Sequence, residues 1–294
     1  MSSVDVVVVS YNSRAHLRRC VAPLAGRNGV RAIVVDNASP DRAHETVRDL
    51  PVTIVELPTN GGFSAGCNAG WRAGSAPYVL FLNPDSRLEP HALERLLAVL
   101  ERDPGAGAAA PRIVGEDGEL HWSQRRFPHP ASIWAQALYL HRVFPRARWV
   151  DELVRDRAAY ERFGSPDWAS GACLLVRREL LERLGGFDDG FFMYWEDTDL
   201  CRRIRSLGLE VRYEPAVTLV HAGGASAPRA SLLPVLAESR LRYVRKHHGR
   251  MRAAIERIGV AFEAATHAAA APKARVGHLQ SLLLVVKGLH GRGA

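Results

Sequence analysis

The feature that most constrains the fold of this sequence is the alternation of short apolar runs with helical segments over its first hundred residues. Four runs rich in Val, Ile, Leu and Phe have the length of strands and almost no polar residues inside them: residues 4–10, 31–36, 52–57 and 78–83. Helices are predicted between and after them, over residues 13–25, up to residue 50, in part of 60–74, and over 90–102. Such strands are buried on both faces, so we predict an α/β fold with a mostly parallel central sheet flanked by helices.

Polar residues follow three of these runs, at the point where each strand ends. They are Ser10-Tyr11-Asn12, Asp36-Asn37 and Asn83-Pro84-Asp85. In open parallel sheets, ligands bind beyond the carboxyl ends of the strands. The sequence therefore predicts that these three clusters share one site.

The second half of the chain is less regular. Residues 115–165 are rich in Arg, Trp, Pro and His, and we expect loops and a helix there. Later segments are predicted as strands (169–176, 209–213 and 217–220) and as helices (178–184 and 196–207). From residue 231 onwards the sequence is basic and has apolar residues at helical spacing. We therefore expect one domain over 1–230 and a basic helical extension over 231–294.

The bulk properties allow several partners. The 294 residues are 47% hydrophobic and 24% charged, with a formal net charge of +8, which suggests nucleic acid, an anionic membrane surface or a phosphorylated substrate as partner. The four cysteines are scattered without a CxxC pair, which is typical of a reducing compartment. We find neither a signal peptide nor an apolar stretch of the roughly 20 residues that span a bilayer. We expect a cytoplasmic protein, soluble or peripheral on the inner face of the cell membrane.

Two acidic clusters carry candidate chemistry. Asp85 follows a buried strand, where a carboxylate can hold Mg²⁺ or Mn²⁺ against a diphosphate; the alternative is a solvated turn. Glu196, Asp197 and Asp199 follow the aromatic segment 191–195. There a carboxylate can take a proton from a hydroxyl as general base, although acids are also common in the first turn of any helix.

Two further segments are candidates for ligand binding. His221 precedes the Gly-rich run 222–226, so it can be a metal ligand beside a loop that closes over a substrate, or a structural histidine. The Gly-rich segment 58–68 can surround a phosphate, but it does not match the P-loop or the dinucleotide fingerprint.

The order of these segments resembles the family 2 glycosyltransferases, and most closely their rhamnosyltransferase-like branch. The resemblance covers residues 4–226 and rests on six motifs in sequence: Val7-Val8-Val9-Ser10-Tyr11-Asn12, Val34-Val35-Asp36-Asn37-Ala38-Ser39, Asn60-Gly61-Gly62-Phe63, Asn83-Pro84-Asp85, Trp195-Glu196-Asp197 and His221. It implies a GT-A fold with a nucleotide-binding half (1–112) and an acceptor-binding half (113–230).

The resemblance also implies roles for individual residues. Those expected to bind the nucleotide sugar are Ser10, Tyr11, Asn12, Asp36, Asn60, Gly62, Asn83 and Asp85. Asp85 and His221 are the expected ligands of a divalent cation, Mn²⁺ or Mg²⁺. Asp197 is the expected catalytic base, supported by Glu196, and Trp195 and Asp199 are expected to bind or orient the acceptor. Asn83 stands where the family often has Asp, which removes one charge from the metal site.

The implied activity is inverting transfer of a sugar to an acceptor hydroxyl during the synthesis of a surface polysaccharide or lipid-linked glycan. The donor is a nucleoside diphosphate sugar, with dTDP-L-rhamnose as the first choice and UDP- or GDP-sugars as alternatives. The acceptor is a glycan or a polyprenyl-diphosphate-linked sugar. Two other classes of function remain as alternatives. The first is a non-catalytic module that binds a nucleotide sugar or a glycan. The second is a basic protein that binds nucleic acid, which is disfavoured because the sequence contains no recognised nucleic-acid-binding motif.

The basic helices after residue 231 allow two interpretations. They can lie on an anionic membrane surface, which suits a lipid-linked acceptor, or pack on the domain and expose a basic side. The sequence leaves the oligomeric state open, with a homodimer as one alternative.

Overall fold

The computed structural model describes residues 3–89, 91–145, 147–223 and 229–287. Its contacts divide the chain into unit 1 (Met1–Arg125, Asp156–Phe192 and Glu196–Ser226) and unit 2 (Arg126–Arg155, Met193–Trp195 and Ala227–Ala294). The strands are β1 (Val4–Ser10), β2 (Val30–Asp36), β3 (Thr53–Glu56), β4 (Tyr78–Leu82), β5 (Ser86–Leu88), β6 (Ala106–Val114), β7 (Gln124–Arg125), β8 (Trp168–Ala169), β9 (Cys173–Arg177) and β10 (Glu210–His221). The α-helices are α1 (Leu17–Val21), α2 (Gly62–Arg72), α3 (Ala92–Arg102), α4 (Pro130–Ala137), α5 (Leu140–Val143), α6 (Arg178–Leu184), α7 (Glu196–Ser206), α8 (Leu233–His247), α9 (Arg250–Ala270) and α10 (Arg275–Lys287).

Unit 1 is built on an eight-stranded sheet with the order β3-β2-β1-β4-β9-β6-β10-β5. The pairs β2/β3, β1/β2, β1/β4 and β6/β10 are parallel, whereas β9 runs antiparallel to both of its neighbours and β5 runs antiparallel to β10. The predicted α/β class with a mostly parallel sheet is confirmed. Because of these directions, the carboxyl ends of β1, β2, β4 and β10 lie at the same edge as the amino end of β9.

Burial explains why these segments are strands. Every residue of β1 is buried, and so are the last four of β4, as expected for strands covered on both faces. On one side of the sheet α3 packs Leu93, Leu96 and Leu100 into the main core. The helix predicted over residues 13–25 is shorter in the structure, where only α1 is helical.

Two strands differ from the sequence expectation. β6 was not predicted, because its first part, Ala-Gly-Ala-Ala-Ala-Pro, lacks the β-branched and aromatic residues that mark strands. The two strands predicted over 209–213 and 217–220 are one strand, β10, whose register shifts between Glu214 and Thr218. Pro215 lies in this bulge, where a missing N–H is tolerated.

Unit 2 consists of α4, α5, α8, α9 and α10 with the three-residue segment Met193–Trp195. Its apolar core is small and contains Ile133, Ala237, Leu241, Val260 and Val285. Among the described residues, no helix combines the length and apolar composition needed to cross a bilayer. The predicted division of the chain at residue 230 stays a prediction.

Unit 2 also buries a charged cluster. Nη2 of Arg240 lies 3.2 Å from Oε1 of Glu152 and 3.1 Å from Oε2 of Glu256. The hydroxyl of Ser132 is 3.1 Å from Oε1 of Glu152. These contacts connect α4, α8 and α9, so part of the cohesion of unit 2 depends on paired charges.

Candidate functional site

The ends of β1 and β2 bring Ser10 and Asp36 side by side, because these residues are direct partners in the parallel ladder. The hydroxyl of Ser10 lies 2.8 Å from that of Ser13. Oδ2 of Asp36 lies 3.3 Å from Nδ1 of His44, and its Oδ1 accepts a hydrogen bond from the N–H of Ser39 at 3.4 Å. Both predicted residues are buried, so they form a polar floor at this edge of the sheet.

The two residues after Ser10 lie closer to solvent. Tyr11 is half-buried, and Asn12 is exposed with its backbone in the left-handed region at φ +50°. The N–H of Asn12 donates to the hydroxyl of Ser39 at 2.8 Å, which holds this turn against the end of β2. Asparagine tolerates the left-handed region better than most residues, so this position suits it.

Asn37 organises the Gly-rich segment, a role that the sequence did not reveal. Its side-chain amide donates to Oδ1 of Asn60 at 2.9 Å and to the carbonyl of Gly62 at 3.0 Å, and its Oδ1 accepts from the N–H of Gly61 at 3.1 Å. The predicted residues Asn60 and Gly62 are thereby held at the end of β2, where α2 begins.

Gly62 is required by close packing. Its φ is +87°, and a Cβ built there would lie 2.1 Å from the carbonyl oxygen of Phe192. The same oxygen accepts a hydrogen bond from the N–H of Phe63 at 2.6 Å. Only glycine fits a backbone that approaches another this closely.

Asn83, Asp85 and His221 meet at the ends of β4 and β10. Nε2 of His221 lies 3.2 Å from Oδ1 of Asp85 and 3.2 Å from Nδ2 of Asn83. Burial tends to raise the pKa of Asp85, but the hydrogen bond and charge of His221 outweigh it, so this pKa lies below its usual range. In one tautomer of His221, Nε2 donates a hydrogen bond to Oδ1 of Asp85. In the other, Nε2 accepts one from Nδ2 of Asn83, and its lone pair and the Asp85 carboxylate are then both suited to a cation.

This trio fits part of a cation site. Among the described residues, no group of three or more His, Cys, Asp or Glu side chains is arranged to hold a metal ion. Mg²⁺ and Mn²⁺ take oxygen ligands and often use only one or two carboxylates, the other ligands being water and substrate phosphates. The residues present therefore suit a cation that binds together with a diphosphate.

His121 is a neighbour of this trio that the sequence did not reveal. Its ring packs edge to face against His221, with centroids 6.1 Å apart. Burial, and next the charge of His221, lowers the pKa of His121. It lies in the irregular stretch after β6, where no periodic pattern marks it.

Asp197 and Glu196 begin α7. Oδ2 of Asp197 accepts a hydrogen bond from the N–H of Gly171 at 2.9 Å, and Oδ1 accepts one from the N–H of Thr198 at 2.7 Å. Burial raises the pKa of Asp197, against the opposing effect of these two N–H groups and of the charge of Arg125. Burial, and next the charge of Asp197, raises the pKa of Glu196 well above its usual value. The pair therefore retains a proton more readily than two exposed acids, and Glu196 holds it more strongly.

Gly171 and Ala172 connect the acid pair, Glu196 and Asp197, to a trio that we call the cation trio: Asn83, Asp85 and His221. Ala172 accepts a hydrogen bond from the N–H of Asn83 at 2.9 Å through its carbonyl, while the preceding Gly171 binds Asp197. The edge of the sheet thus brings together Asn83 and Asp197, which are more than a hundred residues apart. No local sequence pattern could reveal this two-residue bridge.

The two residues predicted to contact the acceptor, Asp199 and Trp195, lie in different units of the chain. Asp199 is fully buried, and its Oδ2 lies 2.8 Å from Nε of Arg203, which favours a supporting role in α7 over contact with an acceptor. Trp195 belongs to unit 2, where its ring packs against Tyr243 at 5.3 Å and under the guanidinium of Arg240 at 5.2 Å.

The predicted closing loop lies partly outside the described residues. The N–H of Gly223 donates to Oδ2 of Asp85 at 3.1 Å, which ties the start of the loop to the cation trio. Gly224, Ala225 and Ser226, for which closure over a ligand was predicted, lie outside the residues that the structure describes.

The comparisons with known proteins agree with this architecture. The model of the family described as glycosyl transferase family 2 matches residues 5–185. An N-acetylglucosaminyl-diphospho-decaprenol L-rhamnosyltransferase of Mycobacterium tuberculosis is 32% identical over 82% of this chain and 83% of its own. A rhamnosyltransferase of Escherichia coli is 29% identical over 51% of this chain and 54% of its own. A mannosyltransferase of Pyrobaculum calidifontis, solved with GDP-Man and Mn²⁺, has a TM-score of 0.58 at 20% identity and covers 99% of this chain and 88% of that one.

Proposed function

This chain belongs to glycosyl transferase family 2, and from that premise we propose that it transfers L-rhamnose from dTDP-L-rhamnose, with inversion, to a polyprenyl-diphosphate-linked sugar. The choice of rhamnose is supported by the two relatives named as rhamnosyltransferases. The choice of acceptor is supported by the Mycobacterium tuberculosis relative, whose name includes N-acetylglucosaminyl-diphospho-decaprenol. The product belongs to the synthesis of a surface polysaccharide or lipid-linked glycan.

One observation carries the proposal: the Gly171–Ala172 bridge binds the acid pair and the cation trio at the same edge of the sheet. Sugar transfer from a nucleoside diphosphate needs a group that stabilises the leaving diphosphate and a base that takes the proton of the acceptor hydroxyl. Asp85 with His221 is suited to the first task, and Asp197 to the second.

The ends of β1 and β2 form the nucleoside pocket in this proposal. Asp36 and Ser10 offer buried acceptors and a hydroxyl for the ribose and base, with Tyr11 and Asn12 beside them. Asn60 and Gly62, held by Asn37, line the side of the pocket. Buried polar groups of this kind recognise a hydroxyl or amide strongly, because an analogue without it leaves them unpaired.

Asp85, His221 and the amide oxygen of Asn83 would hold the divalent cation, Mn²⁺ or Mg²⁺. When bound, the cation neutralises the charge that develops on the departing diphosphate. Asn83 contributes a dipole instead of a charge, so Asp85 supplies the only carboxylate in the trio. The N–H of Gly223 keeps this carboxylate oriented.

Asp197 takes the proton from the acceptor hydroxyl as the oxygen attacks the anomeric carbon. Burial raises its pKa, which makes it a stronger base than an exposed aspartate, and the neighbouring Glu196 holds a proton more readily still. Attack from the face opposite the leaving diphosphate proceeds in one displacement and inverts the anomeric carbon. Asp199 supports this arrangement by fixing α7 through Arg203.

A thermal-shift comparison of dTDP-L-rhamnose, UDP-sugars and GDP-sugars, each with and without Mn²⁺, tests the donor and the cation together. A ligand that binds only the folded state raises the free energy of unfolding by about 2.7 kcal/mol at a hundred times its Kd. We expect the largest shift for dTDP-L-rhamnose with Mn²⁺, and loss of the Mn²⁺-dependent part in Asp85→Ala.

The matched control is Asp117→Ala, which removes an exposed aspartate from the same unit. A larger shift with UDP- or GDP-sugars reassigns the donor. No shift with any nucleotide, or the same Mn²⁺ effect in Asp85→Ala, contradicts the proposal and favours a non-catalytic module.

A further inference from the structure

After Arg250, every fully exposed residue of α9 is apolar. Met251, Ile255, Ile258 and Phe262 follow one another at spacings of four, three and four residues, which places them on one face of the helix. They are 80%, 41%, 60% and 40% exposed, respectively. Every other exposed residue between 251 and 270 is alanine. A helix whose fully exposed residues after its first one are all apolar is unusual for a surface in water.

The neighbouring helix repeats this pattern. Val276, Leu279, Leu283 and Val286 of α10 are spaced by three, four and three residues and are all exposed. α10 packs against α9, where Nε of Arg257 donates to the carbonyl of Val285 at 3.2 Å. We call these two rows of four side chains the apolar stripes of α9 and α10.

Basic residues occupy the ends of both helices. Arg250 begins α9, Lys273 and Arg275 lie at the connection to α10, and Lys287 ends α10; all four are exposed. Unit 2 as a whole contains seventeen Lys and Arg against five Asp and Glu, a formal charge of +12. Unit 1 contains twenty-two against twenty-six, a formal charge of −4.

This combination distinguishes among the possible occupants of the stripes. A second copy of the chain would bring two surfaces of the same positive sign together, which opposes association. Residues 288–294 lie outside the described part of the chain and contain a single large apolar residue, Leu289, too little to cover two helices. A bilayer with anionic headgroups accepts apolar side chains at its acyl boundary and attracts lysine and arginine at its surface.

We propose that the apolar stripes of α9 and α10 dock on the surface of an anionic lipid bilayer. The inference deepens the proposed function, because a polyprenyl-linked acceptor is embedded in such a surface. Only the link to a lipid-linked acceptor rests on the proposed function. Binding of the stripes to lipid requires neither a sugar donor nor catalysis. The basic ends of the helices contact the headgroups, and the four side chains of each stripe enter the interface.

Vesicle flotation with the full chain tests this docking. The vesicles are made of phosphatidylcholine alone or of phosphatidylcholine mixed with phosphatidylglycerol. We expect binding to the mixed vesicles, weaker binding to the neutral ones, and weakening as salt is raised. Ile258→Ser and Met251→Ser should each weaken binding on the order of tenfold, because each removes a large apolar side chain from the interface. Lys273→Gln and Lys287→Gln should each weaken it about fivefold.

Phe163→Ser is the matched control, since it removes a side chain that is 52% exposed but belongs to unit 1. It should bind vesicles as the unchanged chain does. The proposal is overturned if the unchanged chain does not float with anionic vesicles, or if Ile258→Ser binds them equally well. It is also overturned if sedimentation shows a dimer that Ile258→Ser dissociates, which assigns the stripes to a second copy. Failure of the donor function appears separately, as the loss of any nucleotide-dependent thermal shift.

Discussion

The two units of this chain distribute apolar and charged residues in opposite ways. Unit 1 buries apolar side chains on both faces of its sheet and carries a slight excess of acids. The described part of unit 2 has a smaller apolar cluster, which includes Ile133, Leu241 and Val260, and a strong excess of bases. Of the sixteen large apolar side chains that are exposed among the described residues, fourteen belong to unit 2.

This contrast indicates that the surfaces of the two units are suited to different environments. Unit 1 gathers polar side chains, most of them buried or half-buried, at one edge of its sheet, which suits the proposed chemistry on a nucleotide sugar. Unit 2 places apolar groups outward and holds a buried charged cluster inside, which suits a surface whose partner is lipid. Substitutions in one unit should therefore leave the property of the other unit unchanged.

The largest difference between the effects on sugar transfer and on vesicle binding is expected from Asp197→Asn. The amide keeps an acceptor for only one of the two N–H groups that Asp197 binds, those of Gly171 and Thr198, and it cannot take a proton. The rate of sugar transfer should fall about 10²- to 10⁴-fold, while vesicle binding, a property of unit 2, stays unchanged. Initial rates and flotation measure the two effects, with Glu179→Gln, an exposed acid on α6, as the charge-matched control. Undiminished transfer would remove Asp197 from the role of base.

The next largest effect is expected in the buried cluster of unit 2. Arg240→Met leaves Glu152 and Glu256 without their shared partner and should lower the free energy of unfolding by about 3–5 kcal/mol. Urea unfolding followed by circular dichroism measures the loss. Arg250→Met, at an exposed position, should cost well under 1 kcal/mol. Equal stability of the two variants would show that the cluster does not hold unit 2 together.

A smaller effect is expected at the Gly-rich segment of unit 1. Gly62→Ala meets both a positive φ and the carbonyl of Phe192, so it should lower the free energy of unfolding by about 2–3 kcal/mol and weaken donor binding. Gly118→Ala has a similar φ, +78°, but open space around it. It should cost only about 1 kcal/mol. Similar losses in thermal unfolding would show that the close contact at Gly62 is relaxed without cost.

The smallest effect is a pH dependence in unit 2. Burial is the main cause that raises the pKa of Glu263, against the charge of Arg240 and together with that of Glu152. The folded state therefore binds a proton more tightly than the unfolded state, so the contribution of Glu263 to stability is present below its ordinary value of 4.5 and is lost as pH rises above it. Glu263→Gln should raise Tm by more at pH 8 than at pH 5. An equal or reversed difference would contradict the raised pKa.

The fold of unit 1 was largely predictable, because β1, β2 and β4 are continuous apolar runs and each is followed by polar residues. β6 escaped prediction for want of β-branched residues. The bulge at Pro215 made β10 look like two strands. These errors arise because packing in the sheet outweighs local propensity.

The site was predictable only in part. The residues at strand ends, such as Asp36 and Asp85, were found because a parallel sheet collects them at one edge. Asn37, His121 and the Gly171–Ala172 bridge act through contacts between distant segments, which no spacing in the sequence encodes. The packing of Trp195 against Tyr243 and Arg240 of α8 was not predicted either, because it joins residues that are far apart in the sequence.

The most direct test of the account is transfer of rhamnose to two forms of one acceptor: a long polyprenyl diphosphate-linked sugar in anionic vesicles, and a short-chain analogue free in water. Met251→Ser with Ile258→Ser in one chain should lose most transfer to the vesicle acceptor and keep transfer to the soluble one. Asp197→Asn should lose both. If the doubly substituted chain transfers equally well to both acceptors, lipid binding by unit 2 does not contribute to transfer. The assignment of catalysis to unit 1 and of membrane binding to unit 2 is then wrong.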